Sequence, residues 1–138
     1  MNLSTKEISQ IIFYTPDQKI LLQNRHGYSK WGEEWAFFGG RIESGESPEQ
    51  ALIRETKEEL SYDIKEYESI GRTEYLKPAG YKVIRHVFVS PLRDKTDKME
   101  VKEGSGFKLF SIPEARKLKM IYGDNYTLDA LEDFFNQK

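Results

Sequence analysis

Runs of apolar residues broken by turn-forming ones give way, mid-chain, to helical spacing, and these changes mark the elements of the 138-residue sequence. Residues 8–14 are rich in isoleucine and aromatics and read as a strand. Pro16-Asp17-Gln18 then makes a turn, and residues 19–23 form the returning strand of a hairpin. Residues 25–34 mix glycine, serine and both charges and read as a loop, with Glu33-Glu34 a solvated pair within it. Residues 35–38 form a short apolar strand that runs into a Gly39-Gly40 turn. From Ser47 the period changes: Ala51, Leu52, Thr56 and Leu60 recur on one helical face. Ser47 suits the N-cap, Pro48 the first helical position, and Gln50 the far side of a capping box. Residues 64–76 and 81–91 read as long strands around a Pro78-Ala79-Gly80 turn, and residues 107–110 as another strand. Helices over 113–120 and 126–136 close the chain. This order predicts an α/β fold, a mixed sheet covered by helices on both faces.

No repeat, low-complexity tract or linker interrupts residues 1–138, so a single domain is expected. Hydrophobic residues make up 38% and aromatics 13%, which excludes a disordered tail. Lys and Arg number 21 against 23 Asp and Glu, a net charge of −2. That balance argues against a nucleic-acid polymer as partner while leaving room for a local phosphate-holding cluster. The absence of cysteine removes disulfides, thiolate zinc sites and thiol nucleophiles together. Apolar runs such as residues 11–14 fall far short of a membrane span, and the opening MNLSTKEISQ has no signal-peptide core. A cytoplasmic monomer or homodimer with no membrane partner is the expectation.

Chemistry concentrates between Gly39 and Tyr62. Glu55, Glu58 and Glu59 stand at i, i+3 and i+4, so three carboxylates share one helix face. Like charges at that spacing oppose each other by a few tenths of a kcal/mol per pair, roughly. A hard divalent cation with oxygen ligands would offset that repulsion, and Mg²⁺ typically takes a few carboxylates plus waters and phosphates. A backbone carbonyl of Gly39 or Gly40 could complete such a site. Arg54 could pair with Glu58 four residues on, or hold a neighbouring carboxylate in place. An ordinary solvated helix face would show the same three glutamates, so the wider pattern matters.

That wider pattern resembles the signature of the Nudix (MutT-type) hydrolases: Gly40, Glu46, Arg54, Glu55, Glu58 and Glu59 fall at the required spacings. Thr56 and Tyr62 stand where the signature has aliphatics, Ser61 where it has the glycine after the helix, and Phe38 where many relatives have proline. A left-handed Ser61 would cost on the order of 1 kcal/mol relative to glycine. None of these departures removes an expected ligand. The resemblance implies the Nudix fold, a mixed sheet between helices, and Mg²⁺- or Mn²⁺-dependent hydrolysis of a small nucleoside diphosphate derivative. It implies Glu58 and Glu59 as principal ligands, and Glu55 as ligand or general base, with Glu55 and Glu58 interchangeable in the base role. Gly39, Gly40 and Glu103 would complete the metal shell, and Glu46 and Arg54 would hold the loop and orient Glu55. Arg25 is similar to a family arginine that reaches substrate phosphate, and Asn125 to an asparagine that reads a purine edge. Phe37 is placed with them on the substrate.

The substrate is less determined. Asn125 favours a purine nucleoside triphosphate cut to its monophosphate. Pro78 and Tyr81 lie near positions typical of ADP-ribose and dinucleoside-polyphosphate hydrolases, and sugar nucleotides are a further class. The rival from another class is a non-catalytic nucleotide-sensing Nudix module, against which stand the four retained glutamates Glu46, Glu55, Glu58 and Glu59. His26 and His86 are isolated and read as non-catalytic. Trp31, Trp35, Tyr75 and Tyr81 could stack on a base, although strand packing explains most of them.

Overall fold

The computed structural model describes residues 4–29, 32–93, 96, 99 and 106–137. Strand β1 (Thr5–Tyr14) is the centre of a seven-stranded mixed sheet. It runs parallel to β6 (Lys82–Pro91), from Thr5 opposite Lys82 to Tyr14 opposite Pro91. Its other edge is shared end to end: β2 (Ile20–Asn24) pairs antiparallel at Tyr14, and β4 (Phe38–Arg41) pairs antiparallel with Ile8 to Ile11. Beyond β2 lie β3 (Trp35–Ala36) and β7 (Phe107–Phe110), and β5 (Glu68–Leu76) pairs antiparallel with β6.

Helix α1 (Pro48–Leu60) covers one face of this sheet, and α2 (Ile112–Ala115) and α3 (Asp124–Asn136) cover the other. Burial on both faces explains why β1 carries an unbroken apolar run instead of alternation. Ile11 and Phe13 point to the α1 side, packing with Leu52, Leu60 and Phe88. Ile12 points to the opposite side, with Val87, Leu128, Leu131 and Phe135. Such side chains contribute about 1.5–3 kcal/mol each on full burial. The expected α/β architecture with helices on both faces is the observed one. Among the described residues no helix is long and apolar enough to cross a membrane.

Four local expectations differ from the structure. Gly39-Gly40 is not a turn but the middle of β4, held flat against β1. A Cβ at Gly39 would lie 2.1 Å from the Ser9 carbonyl oxygen, so only glycine allows this approach. Strand β5 starts at Glu68, not residue 64, because Ile64 is drawn into the α1-side core ahead of the strand. Helix α2 ends at Ala115, because the chain turns so that the Lys119 carbonyl accepts from the Glu34 and Trp35 N–H groups. Glu33 is 5% exposed and not a solvated loop acid.

Candidate active site

The sequence builds α1 with local signals that the structure realises one by one. Ser47 is extended at the N-cap, its hydroxyl accepts from the Gln50 N–H, and the Gln50 side chain accepts from the Ser47 N–H. Ser61 closes the helix in the left-handed region at φ 52°, where its N–H reaches the Lys57 carbonyl. Ala51, Leu52, Thr56 and Leu60 face the sheet and turn Glu55 and Glu59 toward β4.

Both carboxylates meet the glycine strand. Glu59 Oε2 accepts from the Gly39 N–H at 2.9 Å. Glu55 lies so close to β4 that a Cβ on Gly40 would stand 2.3 Å from its carboxyl carbon. Gly40 is therefore required by the side chain it faces, not by its own backbone angle.

Arg54 ties the rest together. Its Nε and Nη2 donate to the two Glu46 carboxylate oxygens at 2.7 and 3.0 Å, a bidentate pair. Nη1 donates to Glu55 at 2.8 Å and to Glu58 at 3.3 Å, and Nη2 also donates to the Arg41 carbonyl at 2.9 Å. Both roles anticipated for Arg54 are thus filled at once. Hydrogen bonds from Arg54, and then from the Glu43 N–H, hold the Glu46 carboxyl at about 2, below its ordinary 4.5. Glu55 moves the other way: burial raises it, and the Arg54 contact only partly opposes that shift. Glu58 is more open, its side chain 59% exposed.

The donor set is all oxygen, from Glu55, Glu58, Glu59 and the backbone of Gly39 and Gly40, and suits a hard divalent cation. Among the described residues no three acidic or histidine side chains already form a cage. The reason is visible: Glu55 and Glu58 lean on Arg54, and Glu59 leans on Gly39. Mg²⁺ does not demand such a cage, since it usually keeps waters and substrate oxygens in its shell. The residues fit the ion. Glu103 lies outside the described residues, as does Trp31.

A groove of about 130 Å³ opens on the side of β4 away from α1. Ile8, Gln10, Phe37, Arg85 and Asp124 are among its walls, together with the backbone of Gly39 and Gly40. Of the three expected substrate residues, the structure brings only Phe37 here. Arg25 donates to the Tyr28 carbonyl at 2.8 Å within its own loop. Asn125 is an exposed residue in the first turn of α3, whose N-cap is Gly123. It borders a neighbouring cavity of about 390 Å³ with Tyr122 and Leu128.

Sequence reading missed the buried polar cluster under the groove. Arg85 donates to the Tyr75 hydroxyl at 2.7 Å, to Asp124, and to the Tyr122 carbonyl at 3.3 Å. Thr127 bridges to Gln10 at 2.8 Å. Burial pushes the Asp124 carboxyl up, against the pull of Arg85. The one available signal was Gln10 and Arg85, polar residues that adjoin the apolar runs of their strands. The aromatics pack on protein: Trp35 meets Phe110 edge-on, Tyr75 stacks on Tyr126, and Lys6 lies over Tyr81. His26 and His86 each face one glutamate, at 3.5 Å.

Comparison with known proteins agrees with this geometry. Part of the chain is 42% identical over 65 residues to an RNA pyrophosphohydrolase of Marinomonas sp. (strain MWYL1), covering 44% of this chain and 40% of that protein. A 47-residue stretch is 47% identical to a CTP pyrophosphohydrolase of Escherichia coli (strain K12), covering 34% of this chain and 35% of that protein. The matches thus span about two fifths or less of these relatives. Over nearly its whole length the fold superimposes on the solution structure of the E. coli ORF135 protein. The TM-score is 0.79 at 26% identity, covering 99% of this chain and 94% of that one. A MutT protein from Methanosarcina mazei Go1 shares the fold at TM-score 0.75 and 18% identity, covering 99% and 97%. Residues 6–131 match the NUDIX domain, and the chain belongs to the Nudix family.

Proposed function

We propose that this chain is a divalent-metal-dependent pyrophosphohydrolase that cuts a nucleoside triphosphate to its monophosphate. The observation that carries the reading is the convergence of Glu55 and Glu59, from one helix face, on the glycine pair of β4, with Arg54 fixing Glu55. The relatives named RNA pyrophosphohydrolase and CTP pyrophosphohydrolase support the same bond type, a phosphoanhydride. Glu55, Glu58, Glu59, a carbonyl of Gly39 or Gly40, and Glu103 would hold Mg²⁺ or Mn²⁺. When bound, the ion supplies neutralisation of phosphate charge and a more acidic water.

The chain's own residues divide the remaining work. Either Glu55, held by Arg54 beside β4, or the more exposed Glu58 takes the proton of the attacking water. Arg54 is a positioning residue that holds Glu55 and ties it to Glu46. Phe37 forms apolar wall in the groove where the nucleobase would lie. Arg25 would contribute to phosphate binding, and Asn125 to reading a purine edge. The partner is a small nucleotide, not a nucleic-acid polymer or a membrane, and the protein works in the cytoplasm as a monomer or homodimer.

The test is a panel of nucleoside triphosphates, ADP-ribose, sugar nucleotides and dinucleoside polyphosphates, each with Mg²⁺ or Mn²⁺ and with EDTA. Hydrolysis of a triphosphate to monophosphate that EDTA abolishes is expected. Full-rate hydrolysis in EDTA, or no hydrolysis of any member, refutes the reading. Asn125→Ala addresses the purine assignment: unchanged KM and base preference would remove Asn125 from it.

A further inference from the structure

Gln10 is a buried amide with only one half engaged. It is 6% exposed, and its Oε1 accepts the Thr127 hydroxyl at 2.8 Å. Among the described residues nothing accepts from its Nε2. Nε2 is not one of the fully buried atoms left without a partner among the described residues, so it stays accessible, and an accessible donor facing a groove offers a ligand acceptor a place. The groove is the 130 Å³ space beside β4. That is about four times the ~30 Å³ share of a liquid water, room for one planar ring but not for a sugar and its phosphates.

The position of the groove says which part of a ligand reaches it. Gly39 and Gly40 form one of its walls, and Glu55 and Glu59 converge on those same glycines. The shared glycines put the groove beside the place where a diphosphate would gather, within reach of the base it carries. Of the other polar walls, Arg85 has its donors committed, while Asp124 is only partly engaged. Arg85 binds Tyr75, Asp124 and the Tyr122 carbonyl, while Asp124 binds Arg85 and accepts from the Ile121 N–H at 3.0 Å.

We propose that Gln10 is a specificity-determining residue: its Nε2 donates to a ring nitrogen or carbonyl oxygen on the edge of the bound nucleobase. Asp124, whose carboxylate oxygens retain lone pairs, accepts from an N–H next to that atom. The ligand class is a base that presents an acceptor beside an amino or imino N–H. This rests on the nucleotide reading for the identity of the ligand, and on Gln10 with Asp124 for how the base is chosen in this groove.

The experiment titrates the full chain calorimetrically with AMP, GMP, CMP, UMP and ribose 5-phosphate. It compares wild type with Gln10→Glu, which keeps the acceptor for Thr127, and Gln10→Met, which removes both groups. At least one monophosphate should bind wild type about tenfold more tightly than ribose 5-phosphate, and both variants should erase most of that margin. Ribose 5-phosphate affinity should stay within about twofold. In wild type, the Gln10 side-chain amide NMR signals should shift with the preferred monophosphate and not with ribose 5-phosphate, whatever the variants' stability. Folded variants with unchanged base preference, no preference in wild type, or an unmoved Gln10 amide would overturn the proposal and leave that N–H to a bound water. The two readings fail separately. Hydrolysis with Gln10-independent base preference sinks only this inference, and Gln10-dependent binding without hydrolysis sinks only the enzymatic one.

Discussion

Replacing Arg54 with alanine would strip Glu46, Glu55 and Glu58 of the cation they share. The side chains of Arg54, Glu46 and Glu55 are 23%, 16% and 17% exposed, so the cluster is neither a surface pair nor a core one. Removing one partner of a fully buried pair costs about 3–5 kcal/mol, and an exposed pair contributes at most about 1 kcal/mol. An intermediate loss of about 2 kcal/mol follows for Arg54→Ala. In a domain of this size each kcal/mol moves Tm by roughly 4 °C, so melting should fall by about 8 °C. Turnover should drop further than stability explains, by about a hundredfold, because Glu55 loses the contact that aims it. Arg54→Lys separates the two effects. It restores charge but not the fork that grips both Glu46 oxygens, so Tm should recover in part while activity stays low. Calorimetric melting and steady-state kinetics on the two variants check this. An Arg54→Ala protein with native Tm and native kcat would refute the claim that this arginine organises the site.

Acid should weaken the fold through Glu46. Its folded pKa, about 2, lies below the ordinary 4.5, so its stabilising contribution is complete above about pH 4.5 and is lost as pH falls toward 2. Glu46→Gln should flatten melting temperature against pH in that window, and superimposable wild-type and variant curves would contradict the assignment. Gly40→Ala should cut activity at least about tenfold with a smaller effect on Tm, because the new Cβ displaces a movable carboxylate rather than backbone. Kinetics decides it, since unchanged turnover would mean that Glu55 need not lie against β4.

What could be read from the chain alone follows the range of the forces involved. The α1 caps, its buried face and the acid-and-arginine spacing are local, set within a few turns of helix, and all appear where expected. Ser61 shows the same: its left-handed backbone follows from its place after the last turn. The glycine pair was misread as a turn because only the approach of Ser9 and Glu55, distant in sequence, turns that freedom into a strand. The Gln10–Thr127 and Arg85–Asp124 contacts join residues 117 and 39 positions apart and have no spacing to betray them. The buried Asp124 beside Asn125 was not legible either, because its burial depends on where Gly123 starts α3. Glu33 shows the reverse error, a charge taken as solvated that tertiary packing encloses.

The claim that α1 carries the chemistry is tested most directly by the Mg²⁺-dependent hydrolysis rate of Glu59→Gln beside that of wild type. Glutamine keeps an oxygen to accept from the Gly39 N–H and relieves repulsion with Glu55, so Tm should hold or rise slightly. The rate should fall by at least about a hundredfold as an anionic ligand is lost. A folded Glu59→Gln protein that turns over at close to the wild-type rate would contradict the assigned site.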